Sequence, residues 1–152
     1  MSFQRDIAKF KIGSLEIASE ARKNATLALF SGVIKSTPVG NPDLWDVNDM
    51  AKAYAIANGY KGGSLRAAWV LTNDRADKGV PMGRIPVNSS QIVNLADNGR
   101  AVFLTNNLPY ARRVEYGWSK KQAPQGMVRM NFRRIKRQLK KALSVARTKK
   151  IL

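Results

Sequence analysis

Glu115 is the residue whose surroundings first suggest chemistry. It is the one carboxylate of residues 111–152, a stretch that holds 14 Lys and Arg residues. An acid in such a setting can serve as a general acid or base only if its pKa is tuned towards the working pH. The neighbouring cations act the other way. Arg112, Arg113 and Lys120 would stabilise the carboxylate and lower its pKa. Glu115 therefore reads as a pin that orients arginines or accepts backbone N–H groups. The partners of covalent catalysis are missing too: the chain has no histidine and no cysteine. Ser64 and Ser119 have no imidazole base, thiolate metal sites are excluded, and disulfides cannot form. "GYKGG" (59–63) lacks the Lys-Ser/Thr ending of a phosphate-binding loop and does not follow a strand. Pro42-Asp43 opens a nuclease-like spacing that no downstream Asp/Glu-x-Lys completes. Asp43, Asp46 and Asp49 suit helix capping better than metal binding. The chain is expected not to be an enzyme and to need no cofactor or metal.

Charge offers a stronger lead. Of 152 residues, 27 are basic and 10 acidic, for a net charge of +17. Residues 1–110 carry a net +4 and residues 111–152 a net +13. That asymmetry points to a polyanion, or to an acidic protein surface, beside the C-terminal quarter. With 44% apolar residues the chain can bury a core, and its length suits a single domain over 1–152. It has no apolar run long enough to span a bilayer and no signal-like N-terminus.

Positioning these cations requires an α+β frame. Residues 14–36 read as a helix after an N-terminal arm (1–13), with Ser14 as N-cap and Pro38 blocking continuation. Leu15, Ala18, Ala25, Leu29 and Val33 share one stripe, whereas Ile17, Leu27 and Ile34 lie away from it. A helix apolar on two sides must be covered on two sides, by its own core or by a neighbouring subunit. A second helix is expected over 46–58, with Asp46 as N-cap, a Trp45–Met50 staple and Asn58-Gly59 as the stop. A strand is expected around 66–72, then a long loop over 73–88. Ser89 or Ser90 caps a short helix to Asp97. "RAVFLT" (100–105) is the best strand, and "PYARRVEY" (109–116) a short helix with Pro109 at N1, closed by Gly117.

The last helix, 127–147, is the most periodic. Val128, Phe132, Ile135, Leu139, Ala142, Leu143 and Ala146 form one narrow apolar seam. Arg129, Arg133, Arg134, Lys136, Arg137, Lys140, Lys141 and Arg147 occupy the rest of the surface. The seam would lie on the sheet, and residues 148–152 would fray. Three uses compete for the basic face: nucleic-acid phosphates, anionic lipid and an acidic protein. The seam is thin for lipid, and no motif for reading base edges is present.

Three stretches together resemble the tail-completion, or neck (head–tail joining), proteins of long-tailed bacteriophages. They are "STPVGNPDLW" (36–45), "GYKGGSLRAAW" (59–69) and "TNNLPYARRVEYGWSKKQAPQGMVR" (105–129). The last is the most specific, with Asn106-Asn107, Pro109-Tyr110-Ala111, Glu115-x-Gly117 and Gln122-Ala123-Pro124-x-Gly126-Met127-Val128 in order. The likeness covers about residues 14–146 and departs at 46–58, where a short Pro-rich loop is usual. It implies an α+β subunit whose small, mostly antiparallel sheet is flanked by a long N-terminal helix and a basic amphipathic C-terminal helix. It further implies a ring, commonly hexameric, that meets a tail tube or terminator protein and a head connector. DNA would pass transiently through the lumen, with no membrane involved. The location implied is the virion neck, after a stage in the host cytoplasm. On this likeness Pro38, Gly63, Trp69, Asn107, Pro109, Tyr110, Gly117, Pro124 and Gly126 are the structural motif positions. Arg112, Arg113, Glu115, Lys120 and Lys121 join Arg129, Arg133, Arg134, Lys136, Arg137, Lys140 and Lys141 as the surface facing a subunit or polyanion.

Overall fold

The structure, a computed structural model, describes residues 3–42, 48–80 and 86–149. Helix α1 runs from Phe3 to Ser36, so the N-terminal segment read as an arm is helical and Ser14 lies inside the helix. Nothing in residues 3–36 forces a break, since they include no proline and only the isolated Gly13 and Gly32. Asp6 complements the positive end of the helix dipole in the first turn.

The C-terminus of α1 is closed by tertiary contacts. Thr37 is fully buried; its Oγ1 donates to Val33 O at 2.8 Å and accepts the indole N–H of Trp69 at 2.9 Å. The guanidinium of Arg66 donates to Thr37 O through both Nε and Nη2, and to Lys35 O at 3.2 Å. These carbonyls have no partner within the helix, and a cation suits the negative end of its dipole. Pro38 then prevents another turn. Trp69→Phe should cost about 1–3 kcal/mol, because the smaller ring leaves space and Thr37 loses its donor. Urea denaturation would register this as a lower midpoint at unchanged slope.

Two sides of α1 are covered by its own chain, though only in the C-terminal half. Helix α4 (Ser89–Asp97) packs against it, where the Arg22 guanidinium donates to Ala96 O and Arg100 O and Lys23 pairs with Asp97 at 2.7 Å. Helix α6 (Val128–Lys149) also packs against α1. Val33 and Ile34 are thereby buried, and Leu27, Leu29 and Phe30 pack on the core cluster. In the N-terminal half, from residue 4 to 21, every side chain is exposed apart from the half-buried position of Gly13.

Helix α2 spans Asp49–Ala57. It closes through two backbone bonds, Tyr60 N to Ala55 O and Gly59 N to Ile56 O, around Gly59 at φ +68°. Asp43, the Asp46 cap and the Trp45 half of the staple lie outside the described residues. Beyond α2, the glycines of "GYKGG" bring the chain against residues 39–40. Gly63 N bonds Val39 O, and a Cβ on Gly62 would strike that same oxygen.

The strand expected over 66–72 is displaced. Residues Ser64–Ala67 form a single helical turn, α3, and strand β1 covers only Val70–Asn73. The turn sends Leu65 and Trp69, four residues apart, into the core together. Asn88, one residue before the expected serines, caps α4: its side chain accepts from Gln91 N while Gln91 Oε1 accepts from Asn88 N, both at 2.9 Å. Strand β2 (Val102–Thr105) pairs antiparallel with β1, Val70 opposite Thr105 and Asn73 opposite Val102. The architecture is therefore α+β, a small antiparallel two-stranded sheet with a long N-terminal helix and a C-terminal helix. Val33, Ile34, Leu65, Trp69, Ile92 and Met127 form the centre of the core.

Candidate polyanion-facing surface

Helix α5, Ala111–Glu115, projects the Arg112, Arg113 and Glu115 side chains. Its capping residue is Tyr110, so Pro109 sits two residues before the helix rather than at its first position. Gly117, at φ +94°, ends it: Trp118 N bonds Arg113 O and Gly117 N bonds Val114 O. Asn107 clamps the start of the long loop, its Nδ2 donating to Asp77 O and Gly79 O at 2.8 and 2.9 Å. Residues 81–85 of that loop lie outside the described residues. Asn106 Nδ2 donates to Leu65 O, so the two asparagines anchor separate segments.

Glu115 meets the N-terminus of α6. Its Oε2 accepts from the backbone N–H of Met127 at 2.6 Å and Val128 at 2.8 Å. Its Oε1 accepts from Arg129 N at 2.9 Å and from Arg129 Nε at 3.2 Å. Arg129 Nη2 also donates to the Glu115 backbone oxygen. A carboxylate twelve residues upstream thus fills the place usually held by an N-cap side chain, where free N–H groups and the helix dipole favour an anion. Burial pushes the Glu115 carboxyl up; the N–H groups of Arg129, Val128 and Met127, with the Arg129 guanidinium, outweigh it and hold the pKa below the ordinary 4.5. Both oxygens are engaged, which fits a pin and leaves neither oxygen free to relay a proton.

Gly126 makes this approach possible. It adopts φ +79°, and a Cβ there would strike the Glu115 backbone oxygen and lie 2.7 Å from Oε1. The preceding segment supports the same contact: Ala123 is buried, with its N–H bonded to Ser119 O, while Pro124 is exposed. Lys120 and Lys121 are exposed on that loop.

Three guanidiniums gather around two exposed rings. Arg129 and Arg112 lie 4.7 and 5.9 Å from the Tyr116 ring centre, and Arg113 lies 4.9 Å from that of Trp118. Both rings are about two-thirds exposed. From Arg129, at the i, i+4, i+7, i+8 and i+11 positions of α6, Arg133, Lys136, Arg137 and Lys140 extend one basic face, with Arg134 to its side. All are exposed. Among the described residues, Arg129 is the one cation of this surface paired with a carboxylate. Lys141 is within the helix, but its side chain lies outside the described set.

Helix α6 docks differently from expectation. It packs on α1, and it is α4 that meets β1. Two four-residue strands are too small a platform for a helix of 22 residues. The docked face is Met127, Asn131 and Ile135, all buried, whereas Val128, Phe132 and Leu139 of the expected seam are 40%, 58% and 40% exposed. Asn131 decides the rotation. Its Nδ2 donates to Ser36 Oγ at 2.8 Å and Met127 O at 2.7 Å, and its side chain lies where a Cβ on Gly32 would be. Counting hydrophobic residues alone misses Asn131. Its i+4 and i−4 spacing from Ile135 and Met127 is the signal that would have found it. The helix reaches Lys149, two residues into the expected frayed tail.

Comparison of the chain with family models, curated proteins and solved structures gives no match. None of the described helices is long and apolar enough to cross a membrane.

Proposed function

We propose that the chain is a structural subunit of a phage neck, a tail-completion or head–tail joining protein whose basic face meets a negatively charged partner. The observation that carries the polyanion half of this reading is the unneutralised face of α5, the 118–121 turn and α6. Nine exposed cations there, Arg112, Arg113, Lys120, Lys121, Arg133, Arg134, Lys136, Arg137 and Lys140, have no carboxylate partner among the described residues. The neck half rests on the three motif stretches. Within them Glu115 holds the N–H of Met127 and Gly117 and Gly126 stand at positive φ, while Asn107 anchors the separate loop at Asp77 and Gly79. In this reading copies form a ring, hexameric by resemblance, between a tail tube or terminator protein and a head connector. The ring works in the virion neck after assembly in host cytoplasm, with DNA crossing the lumen and no catalytic step or membrane involved. DNA must slide, so most of the basic face meets protein. The +17 subunits of such a ring repel one another, so the ring closes only when anionic partners join.

A second reading, sequence-independent nucleic-acid binding, is favoured by the exposed Tyr116 and Trp118 beside guanidiniums, since such rings can stack on unpaired bases. Salt titration separates the two. A neck subunit binds DNA negligibly at physiological salt. A dedicated binder shows a steep log–log loss equal for unrelated sequences, lowered by about 0.9 for each phosphate contact removed, as by Arg133→Ala or Arg137→Ala. Particles lacking the protein should show filled heads and separate tails. Purified virions without the polypeptide would overturn the neck reading.

A further inference from the structure

The exposed apolar side chains of α1 find no place in either reading. Ile12 and Leu15, 58% and 62% exposed, lie off to the far side, and the others share one stripe. At positions 7, 10, 14, 17, 21, 24 and 28 the spacing alternates strictly between three and four residues, the repeat of a two-helix seam. Ile7, Phe10, Ile17, Ala21 and Ala28 stand there with Ser14 and Asn24. All seven positions are exposed, including those in the half of α1 whose other sides bury against α4 and α6. Ile7 is 51% and Ile17 72% exposed. A lone helix of this kind is marginal in water, where its stability comes from covering its apolar stripe.

We infer that a second copy of this chain covers this seam, through a parallel pairing of the two α1 helices. Charge selects that occupant. Residues 4–21 hold three cations, Arg5, Lys9 and Lys11, and three acids, Asp6, Glu16 and Glu20, so this segment is neutral in a chain of +17. An anionic partner gains nothing from it, whereas another copy meets it without repulsion. The flanks select the direction. Asp6 and Lys11, five residues apart, hold the positions that face each other across a parallel seam, giving two attractive pairs per dimer. An antiparallel arrangement would set the flank that carries Asp6 and Glu20 against itself.

This pairing is independent of the basic face and is tested without any polyanion. Sedimentation equilibrium on the full chain should show monomer–dimer exchange in the micromolar range, tightening as salt screens the repulsion between the rest of the two chains. Ile17→Asp should weaken the dimer roughly a hundredfold or more, while tryptophan fluorescence, and the urea midpoint at concentrations where both chains are monomeric, stay those of the wild type. Asp6→Lys should weaken it by about tenfold, and adding Lys11→Asp to Asp6→Lys should restore it. A chain that stays monomeric throughout, or an Ile17→Asp variant that associates like wild type, overturns the pairing. A charge-swapped double variant no tighter than Asp6→Lys overturns its parallel direction.

Discussion

Gly126→Ala should destabilise the fold by about 3 kcal/mol or more. Two costs combine. The backbone at φ +79° lies in the left-handed region, where an L side chain costs roughly 1–2 kcal/mol. The added methyl would also meet the Glu115 backbone oxygen, which cannot rotate aside, and the Glu115 carboxylate, 2.7 Å away at Oε1. Relief of that contact must pull the carboxylate from the end of α6. Gly99→Ala is the control, because Gly99 has φ +77° and open space around it. It should lose only the backbone part, about 1 kcal/mol. Equal urea midpoints for the two variants would show that the Glu115–Gly126 contact is dispensable.

Glu115→Ala should cost about 2–4 kcal/mol at neutral pH, with Glu115→Gln losing roughly half as much. Alanine leaves the Met127, Val128 and Arg129 N–H groups without their acceptor, and Arg129 without its carboxylate. Glutamine keeps the carbonyl but sets an NH2 group against N–H donors. The effect depends on pH in a defined direction. The folded-state pKa lies below the ordinary 4.5, so the unfolded chain takes up the proton first. The stabilisation is therefore complete above the unfolded pKa and is lost as pH falls through the folded one. Wild type and Glu115→Gln should differ near pH 7 and converge as acid protonates the wild-type carboxylate. A gap that persists unchanged through strong acid would mean that the ionised form contributes nothing.

Much of the element pattern was legible because local rules govern it. Asn58-Gly59 and Gly117 end helices, as glycine with its freedom at positive φ allows. The hydrophobic run at 102–105 is a strand. Glu115 accepts backbone N–H groups and orients Arg129, as a pin should, but the groups that lower its pKa are those of Arg129, Val128 and Met127 and not the expected Arg112, Arg113 and Lys120. Expectations drawn from local signals alone were displaced where tertiary contacts outweighed them. Ser14 is a good cap, yet nothing before it stops the helix. Residues 64–67 turn as a helix because Leu65 and Trp69 must enter the core together.

The basic C-terminal quarter, the absence of imidazole and thiol chemistry, and the periodicity of α6 were determined by the amino-acid sequence alone. Composition and helical spacing are properties of the chain before it folds. Which face of α6 is buried was decided only in three dimensions. Asn131 can share the buried face because it bonds Ser36 and Met127 and Gly32 leaves it room. Phe132 is left outside because the face that fits against α1 is the one Asn131 shares with Met127 and Ile135, all three buried.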